Sequence, residues 1–83
     1  MRITYDSEAD AAYIQLSDTI LPGGVAMTVP CDPREVGGMI HLDFNTDGIL
    51  IGIEVLGAAS KLPRELLERA SHDNNGPGRR TRP

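Results

Sequence analysis

Met39-Ile-His-Leu-Asp-Phe-Asn-Thr-Asp-Gly-Ile-Leu-Ile-Gly-Ile-Glu-Val-Leu56 decides the fold. Its first six residues alternate, Ile40, Leu42 and Phe44 against Met39, His41 and Asp43. A period of two belongs to a strand. Asn45-Thr-Asp-Gly48 is a turn sequence, with a glycine to take the positive φ that tight hairpins need. The run then resumes with Ile49, Ile51, Ile53 and Val55 on one side and Leu50, Gly52, Glu54 and Leu56 on the other. Apolar residues on both sides predict a central strand, and a glycine inside it predicts a bulge or a close backbone approach.

The same stretch satisfies the calcium-loop pattern of an EF-hand, with Asp43, Asn45, Asp47, Gly48 and Glu54 in the required places. An EF-hand needs a flanking helix on each side. Here both flanks alternate like strands, and in a straight strand Glu54 would stand about 20 Å from Asp47 at about 3.3 Å per residue. The pattern is therefore read as a hairpin and no metal is assigned to it.

Three further strands are expected upstream. Arg2–Tyr5 and Ala11–Leu16 form a first hairpin around Asp6-Ser-Glu-Ala-Asp10, whose Asp and Ser residues favour turns. Val25–Val29, ended by Pro30, puts Val25, Met27 and Val29 on one face. Residues 30–38, with two prolines and two glycines, are read as a loop. Downstream, Ser60 is expected to cap a helix running to about Ala70, with Pro63 in its first turn and Leu62, Leu66, Leu67 and Ala70 as its apolar stripe. The expected fold is α+β: a small antiparallel β-meander of four to five strands packed against one short C-terminal helix.

Composition sets the outer bounds. Eighty-three residues make one domain at most. With no Trp, two Tyr and one Phe, the core has to be aliphatic. There is no apolar run of about 18 residues, so no membrane span is expected, and the acidic N-terminal region does not read as a signal peptide. The single cysteine, Cys31, excludes an intrachain disulfide and a cysteine-based zinc site, which suits a cytoplasmic protein. The net charge of −4 is uneven: residues 1–71 carry eleven acidic and five basic side chains, whereas Arg79, Arg80 and Arg82 fall in the last five residues. An acidic body disfavours nucleic acid. Residues 1–71 are expected to form the domain, and residues 72–83, without an aliphatic side chain, a disordered Arg-containing tail.

No catalytic, cofactor-binding or metal-binding residue is assigned. Asp6, Glu8 and Asp10 can be grouped as a cation or ligand site, but turn formation accounts for them without one. His41 is expected as a surface or satisfied histidine rather than a ligand or base, and Cys31, beside Asp32, as an unreactive thiol. His72 lacks a partner of the kind a metal site needs. Gly23-Gly24 and Gly37-Gly38 lack the pattern of a phosphate loop. A chain this small has a core near the limit of independent stability. A homodimer formed through an exposed edge strand is therefore expected.

Two segments together resemble a known family. Ile3-Thr-Tyr-Asp-Ser-Glu-Ala-Asp-Ala-Ala-Tyr-Ile-Gln-Leu16 and Leu42-Asp-Phe-Asn-Thr-Asp-Gly-Ile-Leu-Ile-Gly-Ile-Glu-Val-Leu-Gly-Ala-Ala-Ser60 are similar, in this order, to the opening and closing stretches of the DUF2283 (YuzE-like) proteins, small bacterial proteins of undefined function. The resemblance implies a compact α+β fold and brings no catalytic residue. By association with small toxin-like proteins it implies an antitoxin-like or other partner-binding role. The expected function is thus a non-enzymatic protein–protein interaction module that meets a basic protein. The alternative is a small-ligand or divalent-metal-binding protein using Asp6, Glu8 and Asp10.

Overall fold

The computed structural model describes residues 1–72. It contains strands β1 (Arg2–Asp6), β2 (Ala11–Gln15) and β3 (Met27–Pro30), a one-turn helix α1 (Pro33–Val36), strands β4 (Ile40–Phe44) and β5 (Leu50–Leu56), helices α2 (Ala58–Lys61) and α3 (Arg64–Arg69), and a two-residue strand β6 (Ser71–His72). The expected tail lies outside the described residues apart from His72.

All the expected strands form one sheet, in the order β3-β4-β5-β2-β1-β6. The first five are antiparallel to their neighbours and β6 runs parallel to β1. The chain is therefore not a simple meander. A β1–β2 hairpin and a β3–β4–β5 meander join where β2 pairs with β5, Ala12 opposite Val55 and Ile14 opposite Ile53. This puts β5, apolar on both sides, in the interior of the sheet.

The core lies on one face. Ala12, Val55 and Ala58 are buried, and Tyr5, Ile40, Ile53, Leu62 and Leu67 pack against them, so α2 and α3 cover the Val55 side. Among the described residues Val55 is the largest fully buried side chain, which makes this a thin core.

The single helix expected from Ser60 to Ala70 is replaced by two short ones. A residue before proline is forced out of the α region, and Leu62, before Pro63, is extended at φ −110, ψ 151. That ends α2 and lets α3 begin after Pro63. Ser60 does not cap it. Gly57 holds the N-cap position of α2 with φ 66, and the Ser60 hydroxyl donates to the Gly57 carbonyl. The supposed loop 30–38 contains α1, with Asp32 as N-cap accepting from the Arg34 amide, Pro33 in its first turn and Gly37 as a left-handed C-cap. The Lys61 ammonium donates to the Val36 carbonyl at 2.9 Å and closes that helix end. Its stem crosses Gly38, where an added Cβ would come within 2.9 Å of Lys61 Cε.

Candidate functional site

Directly paired residues of an antiparallel ladder share a face, so the register also defines the side away from α2 and α3. One row there runs Thr4, Tyr13, Glu54, His41, and the next Arg2, Gln15, Gly52, Asp43, Thr28. Every side chain in these rows is at least partly exposed. This polar face is the candidate site.

Gly52 organises it. A Cβ built there would overlap the Tyr13 hydroxyl and its ring carbons, so the phenol lies directly over the glycine backbone. Crossing β5 in this way, Tyr13 donates to Asp43 Oδ2 at 2.8 Å. The Thr28 hydroxyl donates to the other oxygen, Oδ1, at 2.6 Å. One carboxylate thus ties together β2, β3 and β4. Beside it His41 Nδ1 lies 2.8 Å from Glu54 Oε1. An ionised carboxylate only accepts, so Nδ1–H is the donor.

Burial, the Asp43 hydrogen bond and the nearby carboxylates push the Tyr13 phenol well above the usual tyrosine range. Tyr5 is raised as well, chiefly by its hydrogen bond to Asp10. Tyr13 is therefore neither a base nor a nucleophile near neutral pH. The unfolded chain ionises its phenols near the ordinary tyrosine value of about 10 and the folded chain does so at higher pH. The contribution of these phenols to stability is consequently fully present below a pH of about 10 and is lost as the pH rises above it. Urea melts between pH 9 and 11.5 are expected to show this decline, and the Tyr13→Phe protein a shallower one. An equal slope in the two proteins would contradict the assignment.

Two of the three acidic residues expected near the first hairpin, Asp6 and Asp10, hold the fold together. Asp6 Oδ1 accepts from the Glu8 and Ala9 amides and shapes the turn. Asp10 adopts φ 51 and its Oδ1 accepts both the Tyr5 hydroxyl at 2.8 Å and the Ala59 amide at 2.9 Å. Its carbonyl takes the Ala58 amide. Asp10 therefore caps α2 from across the fold, a role that depends on the β2–β5 pairing and that the local sequence does not announce. Among the described residues no three His, Cys, Asp or Glu side chains are grouped to hold a metal.

The EF-hand pattern resolves into strand, turn and strand. Asn45 Oδ1 accepts from the Asp47 and Ile49 amides, and Gly48 alone of the turn takes positive φ. Asp43 and Glu54 point their carboxylates at different partners. A register shift at Asp43/Phe44, which pair with Gly52 and Leu50, places a bulge at Ile51, beside the glycine where the sequence predicted an irregularity.

Residues 2–58 match the family model described as a protein of unknown function, DUF2283. The chain belongs to the DUF2283 family. Neither a curated protein nor a solved structure matches it. The DUF2283 region spans the whole antiparallel sheet and ends at Ala58, the first residue of α2, so both rows of the polar face lie inside it. No helix of the described residues is long and apolar enough to cross a membrane.

Proposed function

We propose that this DUF2283 protein is a non-enzymatic interaction module whose polar sheet face receives a basic protein, in the manner of an antitoxin. The observation that carries the reading is the division of the sheet into a helix-covered apolar side and a partly exposed side with fixed carboxylates. Glu54, its side chain 44% exposed, is held by His41, and Asp43 by two hydroxyls. Prearranged acceptors of this kind suit guanidinium and ammonium groups and lower the entropy lost on binding. Of the Lys and Arg residues in 1–71, only Arg2 belongs to this face. Arg34 stands beside Asp32, Lys61 is engaged with Val36, and Arg64 and Arg69 lie on α3. The charge of the body adds long-range attraction for a cationic partner and repulsion for nucleic acid.

Charge reversal at Glu54 tests the proposal. Tagged wild-type and Glu54→Lys proteins, each recovered from the source cells, are compared for a co-purifying basic protein. The variant is expected to retain its fold, with a stability cost of about 1 kcal/mol for the half-exposed pair, and to recover the partner at least about tenfold less. Equal recovery by both proteins would overturn the assignment of this face.

A further inference from the structure

The two edges of the sheet differ. Beyond β1 lies β6, whereas β3 has no strand on its outer side among the described residues. All four residues of β3 are exposed. Met27 is 54% and Val29 37% exposed, and Val25, just before the strand, 36%. From Thr19 to Cys31 the chain has no charged residue, although it belongs to a strongly acidic body. Natural edges are usually blunted by charge, and this one is not.

The hydrogen-bonding direction of β3 specifies what fits. The Cys31 amide donates to the Ile40 carbonyl, and Pro30 faces His41. By the alternation of an antiparallel ladder, Met27 and Val29 then turn their amides and carbonyls toward β4, and Thr28 turns both of its backbone groups outward. Pro30 also faces outward but has no N–H to offer. An arbitrary extended peptide would find a single donor along this edge. A second copy of the same strand, related by a twofold axis at Thr28, needs no more than that: each Thr28 N–H donates to the other Thr28 carbonyl, and Met27 of each copy falls opposite Val29 of its mate.

We infer that β3 is a self-association edge, at which two copies pair antiparallel about Thr28 and cover the Met27–Val29 strip. The acidic bodies tolerate this because the nearest fixed carboxylates, the two Asp43 side chains, sit one strand back on each side. At about 4.8 Å per strand they are about 14 Å apart, beyond the screening length of about 8 Å at physiological salt. The pairing also makes one continuous sheet from the two polar faces, although it does not depend on what binds them. Contact along a single edge is at the small end of interface sizes, so the dimer is expected to dissociate in the micromolar range.

Sedimentation equilibrium of the full chain between 2 and 200 µM tests the inference, together with Thr28→Pro and Val29→Lys. Thr28→Pro removes an outward-facing N–H and, with it, the hydroxyl that donates to Asp43, whereas Val29→Lys places like charges in the strip without altering the backbone or that bond. Wild type is expected to pass from monomer to dimer across the range, and each variant to raise the dissociation constant at least tenfold while keeping the wild-type circular dichroism. A wild type that stays monomeric at 200 µM, or a dimer unaffected by Val29→Lys, would overturn it.

Discussion

Replacing Gly52 with alanine is expected to destabilise the protein by about 2–4 kcal/mol, the range for overpacking that also breaks buried or half-buried contacts. The new Cβ would occupy the space of the Tyr13 hydroxyl and ring. The ring cannot move aside and still reach Asp43, because it crosses β5 at this residue. The substitution therefore removes the Tyr13–Asp43 hydrogen bond and the cover over the β5 backbone together. A double-mutant cycle isolates the cause. In the Tyr13→Ala background the same glycine substitution has nothing to displace, so its cost is expected to shrink by at least about 1 kcal/mol. Urea denaturation of the four proteins measures this, and costs that simply add would contradict the packing described here.

Asp10→Ala is the second large effect, about 2–4 kcal/mol, since it combines the loss of a helix cap with a positive φ that alanine resists. One side-chain oxygen serves both the Tyr5 hydroxyl and the Ala59 amide, so the turn between β1 and β2 and the start of α2 are loosened at once. Asp10→Asn keeps an acceptor oxygen and tolerates the left-handed conformation, and is expected to cost about 1 kcal/mol or less. Thermal melts of the two variants check the difference. Equal losses would mean that the charge of Asp10 matters more than its geometry, and a binding role for the acidic turn would regain ground.

These two residues also mark the boundary of what the sequence discloses. Gly52 was legible: a glycine between β-branched neighbours in a two-sided strand announces a close approach, but its partner was not, since the register sets Gln15 opposite Gly52 and the ring that covers it comes diagonally from Tyr13. The strands and the reading of the calcium-loop pattern as a hairpin were legible for the same reason, since a period of two is a strong local signal. Asp10 was legible only as a turn former, because its cap acts on a helix 49 residues away and needs the β2–β5 pairing to bring the two together. The Thr28–Asp43 bond was hidden likewise by the unknown strand order. The helices were misread for local reasons. Pro63 fits the first turn of a helix by rule but also biases Leu62 to the extended form observed, and Asp32-Pro33 followed by Gly37 reads as loop punctuation, yet acid and proline at the front with glycine at the back is equally the order of a short helix.

Native mass spectrometry of the tagged chain, purified gently from its own host, weighs subunits, bound metal and any companion together and so decides between a protein partner and a small ligand. A basic protein held at fixed stoichiometry is the expected result. A chain that carries a metal ion or a small molecule and no protein companion would contradict it.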